Sequence, residues 1–181
     1  MDDKKKKILL YTPLLLVLGL FFMVYIHTFD VFVFIKHFVL LIFSHAVAVT
    51  DLREKRIPNK WVLAMIVTWL IITIPQIFWN INNISIILFQ SGIGFLAGGG
   101  MFLFLYIISR KGVGGGDVKF MAAAGLYLTL YRLMSTIVYG SILAGLTALI
   151  LLITKRVKKN DAIPLVPFLY IGIIISMFFV G

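Results

Sequence analysis

The sequence contains no cysteine, and its long apolar stretches contain almost no charge. The missing cysteine excludes disulfide bonds and cysteine-ligated zinc sites. From Trp61 to Ser109 there is no Asp, Glu, Lys or Arg, whereas soluble domains interleave charged residues with apolar ones. Because 61% of the 181 residues are hydrophobic, we predict an all-α polytopic membrane protein.

Metal-binding and nucleic-acid-binding patterns are also missing. His27, His37 and His45 lack the spacing of a metal motif, and His-Glu-x-x-His is absent. We therefore expect packed or interfacial histidines, no metal and no cofactor. A net charge of +10 raises the possibility of nucleic-acid binding. The Lys and Arg residues cluster between the apolar runs, however, so membrane topology explains them better and we expect no nucleic-acid partner.

Seven apolar stretches each predict a helix, which gives about seven transmembrane helices. They cover residues 8–29, 31–50, 61–79, 84–109, 118–131, 133–153 and 162–180. The main breaks are Asp30, a charged loop at 51–60, a turn at 80–83, the glycine-rich loop at 110–117 and Arg132. The fifth stretch is roughly 21 Å long as a helix, too short to cross a hydrocarbon core of about 30 Å alone.

The basic residues predict the orientation of these helices. With the N-terminus in the cytoplasm, every Lys and Arg except Lys36 and Arg132 falls in a cytoplasmic segment. We expect those two side chains to snorkel from helix ends. The basic N-terminal residues, Lys4 to Lys7, are followed by an apolar run without a small-residue cleavage site. This pattern predicts an uncleaved membrane anchor. Gly94 and Gly98 have the spacing of a close helix contact.

Two acids, Asp51 and Asp117, lie at the ends of apolar stretches, where a chain rarely keeps a carboxylate without a use. The predicted topology places both at the cytoplasmic side. Two carboxyl groups that share one proton activate water and polarise a scissile carbonyl, as an aspartic protease requires. Each acid also has a structural interpretation: Asp51 could terminate its helix, and Asp117 could cap the fifth helix.

Three segments resemble the type IV prepilin peptidases and the archaeal preflagellin peptidases, the Gly-x-Gly-Asp membrane aspartic proteases. They are Asp51 with Arg-Ile-Pro-Asn at 56–59, Gly-Gly-Gly-Asp-Val-Lys at 114–119, and Ala-Ile-Pro-Leu-Val-Pro-Phe-Leu at 162–169. The resemblance implies one membrane domain over 31–181, a six-helix peptidase core, with 1–30 as a basic N-terminus and an additional anchor helix. Presenilin-like proteases fit less well because Asp51 follows Thr50 rather than Tyr.

By this resemblance Asp51 and Asp117 form the catalytic pair, and several neighbours hold the substrate. These substrate-binding residues are Arg56, Pro58, Asn59, Gly114, Gly115, Gly116 and Lys119. The implied substrate is a prepilin-like or preflagellin-like precursor of a pilus or secretion system, whose short basic leader is cut at the cytoplasmic face of the cell membrane. N-methyltransferase activity is not expected, because the cysteine-containing insert of many bacterial members is missing.

Two other functions remain open from the sequence. A proton-coupled transporter could use Lys36, Arg132 and Asp117 as counter-charges along an ion path. An inactive scaffold subunit of a pilus or secretion machine could keep the same fold without the activity.

Overall fold

The computed structural model describes residues 12–22, 30–109, 112–155 and 163–179. In these ranges the chain forms seven α-helices and one short 3-10 turn, and no strand. The helices are α1 Thr12–Phe22, α2 Val31–Glu54, α3 Asn59–Trp79, α4 Ile84–Ser109, α5 Gly115–Gly125, α6 Leu130–Ile153 and α7 Val166–Phe179, with the turn at Ile81–Asn83. Four of them, α2, α3, α4 and α6, are long and apolar enough to cross a membrane. The predicted all-α polytopic membrane fold is therefore confirmed.

The helix boundaries at the charged loop predicted for residues 51–60 differ from the prediction. Helix α2 continues to Glu54, so Asp51 lies within its last turn and not in the loop that follows it. The loop between α2 and α3 is correspondingly short and covers residues 55–58. Lys55 ends α2 in the left-handed region, and its N–H still donates to the carbonyl of Asp51. The predicted first helix at 8–29 corresponds to α1, and its residues 8–11 and 23–29 lie outside the described part of the chain.

The predicted break at Arg132 is wrong. Helix α5 already ends at Gly125, and α6 begins at Leu130, so that Arg132 lies in the first turn of α6. Thr129 is the N-cap, because its side-chain oxygen accepts from the Arg132 N–H at 3.5 Å. The cap residue, and not the isolated charge, marks the helix boundary.

Small residues allow the helices to approach closely, and this positions α5. Gly94 and Gly98 of α4 face the backbone of α5 at Gly125 and Met121, which leaves no room for a Cβ atom at either glycine. The close helix contact predicted from their spacing is thus confirmed. Helices α6 and α7 are paired in the same way, since Gly172 lies against the carbonyl of Thr136. Helix α2 packs against both α3 and α7.

Helix α1 packs on the first half of α2. The ring of Phe21 is fully buried and stacks on Phe34 at a centroid distance of 5.3 Å. Phe38, one turn further along α2, lies 6.4 Å from the same ring. Aromatic burial therefore attaches this additional helix to the bundle.

Candidate active site

Asp51 is a buried acid at the end of α2, with 5% of its surface exposed. Its Oδ2 accepts a hydrogen bond of 3.2 Å from the backbone N–H of Val166. Val166 is the first residue of α7, and the first N–H groups of a helix have no partner within the helix. The α7 N-terminus therefore orients the carboxylate of Asp51.

Asp117 is a second buried acid, 8% exposed, in the first turn of α5. Its Oδ2 accepts a hydrogen bond of 2.8 Å from the N–H of Gly114, which precedes the helix. This is one half of a capping box, in which an acid in the first turn reaches back to the residue before the helix. Asp117 thus caps α5, and the same contact fixes the side chain at the edge of the glycine loop.

The two carboxylates, although far apart in sequence, line one cavity. Its volume is about 310 Å³. The other lining residues come from the loop after α2 and from the glycine run, and they are Lys55, Arg56, Ile57, Gly114, Gly115 and Gly116. Asp51 and Asp117 therefore lie at the same end of the helix bundle and act electrostatically on one another.

Burial shifts the protonation of Asp117. It raises the pKa of this carboxyl from 3.8 to about 6, and the negative charge of Asp51 adds to the increase. The hydrogen bond from Gly114 acts in the opposite direction and is too weak to cancel the effect of burial. Near neutral pH, Asp117 is therefore much closer to protonation than an ordinary aspartate.

The residues predicted to bind substrate fall into two groups. Arg56 and the glycines 114–116 line the cavity. Pro58, Asn59 and Lys119 are not among its lining residues. Instead, Lys119 Nζ donates a hydrogen bond of 3.1 Å to Asn59 Oδ1, while Pro58 is the N-cap of α3. The Asn59–Lys119 pair connects the start of α3 to α5 beside the two acids.

Three residues at the site were not among those predicted to be catalytic or to bind substrate. Lys55 and Ile57 line the cavity between the acids, and the N–H of Val166 contacts Asp51. Ile57 packs against Gly116 so closely that a Cβ atom there would lie 3.0 Å from the Ile57 Cβ. The Pro-rich segment at 162–169 pointed to the region of Val166, but no sequence signal indicated that its backbone would reach Asp51.

The positively charged residues Lys36 and Arg132 lie elsewhere. They line a different cavity at the opposite end of the bundle, with His37. Lys36 is 7% exposed, so the expectation that it snorkels from a helix end is wrong. The two residues are also separated from Asp117, which does not support a shared ion path.

No group of three or more His, Cys, Asp or Glu residues that could hold a metal ion occurs in the described ranges. His37 and His45 are buried, as expected for packed histidines, and His27 lies outside the described residues. The cavity between Asp51 and Asp117 is lined by two carboxylates, two cationic side chains and glycine backbone. This set of groups is suited to acid–base chemistry on a polypeptide.

Residues 37–149, more than half of the chain, match the sequence model of the type IV leader peptidase family. The chain belongs to this family. The matched range contains both acids of the cavity and ends before α7. This leader peptidase family member is accordingly a membrane peptidase, and its substrate is a protein. No curated protein and no solved structure matches the chain.

Proposed function

We propose that this protein is an aspartic endopeptidase that removes the short basic leader of a prepilin-like or archaellin-like precursor at the cytoplasmic face of the membrane. Asp51 and Asp117 are its catalytic pair. The observation that carries the proposal is the single cavity into which two separate helices each place one buried carboxylate. Membership of the leader peptidase family agrees with it.

We assign the two acids different roles in the reaction. Asp117, whose pKa is raised by burial, is the protonated member that polarises the scissile carbonyl. Asp51, oriented by the Val166 N–H, is the ionised member that takes a proton from the attacking water. Asp117 then gives its proton to the leaving amine. The two carboxyls titrate as a pair, so a pH–rate profile reports the pair and not one residue.

The position of the cavity supports the class of substrate. Both acids lie at the bundle end that carries Lys55, Arg56 and Lys119, which the positive-inside rule assigns to the cytoplasm. A precursor whose apolar helix lies in the bilayer presents its leader at this level. The glycine run at 114–116 lacks side chains and gives an extended substrate segment close access to Asp117.

The decisive experiment compares Asp51→Asn and Asp117→Asn with wild type on a purified precursor. The precursor carries a basic leader, a small residue and about 20 apolar residues, a length that spans a bilayer. We expect both variants to lose at least about 1,000-fold in rate, because each removes one half of the acid–base pair. Wild-type rates in either variant would disprove the catalytic pair.

A control variant and a second precursor separate the two parts of the proposal. Glu54→Gln removes an exposed acid one turn from Asp51 on the same helix and should retain the wild-type rate. A precursor cleaved on the far side of its apolar segment tests the substrate class. If wild type cuts this second precursor and spares the first, the leader-cleavage assignment is wrong, and the rates of the two Asn variants on the second precursor then test the Asp pair.

A further inference from the structure

A second polar cavity lies at the opposite end of the bundle from the two acids. Its volume is about 410 Å³. Its polar lining consists of Lys36 and His37 of α2, Gln76 of α3, Gln90 and Ser91 of α4, and Thr129, Tyr131 and Arg132 around the start of α6. Along α2, Lys36 and Asp51 are separated by about 22 Å at 1.5 Å per residue. This cavity is therefore distinct from the proposed catalytic site.

The charges at this cavity are cationic. Lys36 is almost fully buried, and its Nζ lies 5.9 Å from the centre of the Trp69 ring. Arg132 Nη1 lies 3.4 Å from both ring nitrogens of His37. No Asp or Glu is among the described residues that line the cavity. The acid that acts electrostatically on Lys36 is Asp30, whose Oδ1 accepts the N–H groups of Phe32 and Val33.

An incompletely bonded amide lies beside these cations. Gln76 is 6% exposed, and its Oε1 has no hydrogen-bond partner. A buried polar atom without a partner is unfavourable, because it has lost its hydrogen bonds to water. The side chain lines the cavity, so a bound group with a hydrogen-bond donor would satisfy it.

We propose that this cavity binds a phosphate group that carries a hydroxylated substituent. The cationic side chains of Lys36 and Arg132 attract the phosphate oxygens, and Gln76 Oε1 accepts a hydrogen bond from the hydroxyl. An anionic phospholipid with a glycerol headgroup has this chemistry, and so does a small phosphate ester in solution. The apolar side chains of Val33, Ile87 and Leu128 at the same cavity are compatible with the lipid source.

The first test uses the wild-type protein alone. Native mass spectrometry and thermal unfolding in detergent are run with phosphatidylglycerol, phosphatidylcholine, glycerol phosphate or inorganic phosphate. We expect phosphatidylglycerol to stay bound in native mass spectrometry. The midpoint of thermal unfolding should be several degrees higher with phosphatidylglycerol than with phosphatidylcholine. If glycerol phosphate binds and stabilises the protein but phosphatidylglycerol does not, the cavity is a phosphate site whose ligand is a soluble ester and not a lipid. Equal responses to phosphatidylglycerol and phosphatidylcholine, with none to the phosphates, would overturn the proposal.

The second test locates the binding. Lys36→Gln and the shape-conserving Gln76→Leu should each abolish the selective response, because each removes one of the groups that contact the ligand. Lys60→Gln, which removes an exposed cation at the other end of α3, should keep the full response. If both cavity variants respond as wild type does, the ligand binds elsewhere and the assignment is wrong.

Discussion

Gly94 of α4 and Gly125 of α5 are in direct backbone contact: a Cβ atom on either glycine would collide with the carbonyl oxygen of the other. This contact sets the distance between the two helices at the end of α5 that is opposite to Asp117. Because both neighbouring groups are backbone atoms, a side-chain rotation cannot relieve the collision.

Gly94→Ala should therefore destabilise the protein. Overpacking in a well-packed core costs about 1–3 kcal/mol, so we expect the thermal midpoint in detergent to fall by several degrees. Gly92→Ala is the matched control, since nothing lies within 4 Å of a Cβ atom at that position of the same helix. Equal midpoints for the two alanine variants would contradict the close contact of α4 and α5.

Asp117 should make the stability of the protein depend on pH. Burial raises the pKa of Asp117 from 3.8 to about 6 in the folded protein, so the folded state retains a proton that the unfolded chain has already released between these values. The stabilisation is therefore fully present below about pH 4 and is lost as the pH rises through about 6.

Asp117→Asn tests this sign directly. The amide stays neutral and its oxygen can still accept the Gly114 N–H, so the variant should melt higher than wild type at pH 8, with a smaller difference at pH 4.5. Thermal unfolding at the two pH values measures the difference. If the difference in melting temperature between the variant and wild type is the same at both pH values, or is larger at pH 4.5, ionisation of Asp117 does not destabilise the folded protein.

The Val166 N–H should matter for activity because it orients Asp51. Val166→Pro removes this donor at the first position of α7, where proline is well tolerated. A hydrogen bond to a charged group contributes about 1.5–3 kcal/mol, which corresponds to a roughly 10- to 160-fold lower rate. Val166→Ala keeps the N–H and removes the side chain, so it controls for lost packing. The prediction fails if the two variants cleave the precursor equally well.

Asn59 and Lys119 should behave as a coupled pair. Their side chains are hydrogen-bonded at 3.1 Å, so Asn59→Ala and Lys119→Met each break the same contact. We expect each to lower the free energy of unfolding by about 0.5–1.5 kcal/mol, the usual range for one hydrogen bond, and the double variant to lose less than the sum. Strictly additive losses in chemical denaturation would mean that the two residues act independently.

The sequence predicted the helices well where long apolar runs meet strong breaks. Helix α4 has the predicted bounds, 84–109, because the turn at Ile81–Asn83 and the charges after Ser109 limit the run clearly. The boundary between α5 and α6 was mispredicted, because the apolar pattern continues across it. The start of α6 is marked by the hydrogen bond that the Thr129 side chain accepts, and the sequence does not show this bond. The predicted end of α2, at residue 50, was too early by four residues. A helix can continue through charged residues when one of its sides faces water.

The candidate site was predicted only in part. The two acids could be selected because carboxylates are costly next to apolar segments, and the topology placed them on one side of the membrane. Arg56 and the glycine run lie at the cavity as proposed for substrate-binding residues, but Asn59 and Lys119 contact each other. The burial of Lys36 beside Gln76 had no signal in the sequence, since a lone Lys in a helix equally suits a snorkelling side chain.

The sequence by itself determined the class of molecule and its main helices, because hydrophobicity and charge act locally along the chain, and it predicted that Asp51 and Asp117 lie on the same side of the membrane. Only the tertiary structure decided that the two carboxylates share a cavity, that the α7 backbone contacts one of them, and that burial raises the pKa of the other. These properties depend on which helix faces which, and that is set by close packing at small residues such as Gly94 and Gly125, whose partners no local pattern specifies.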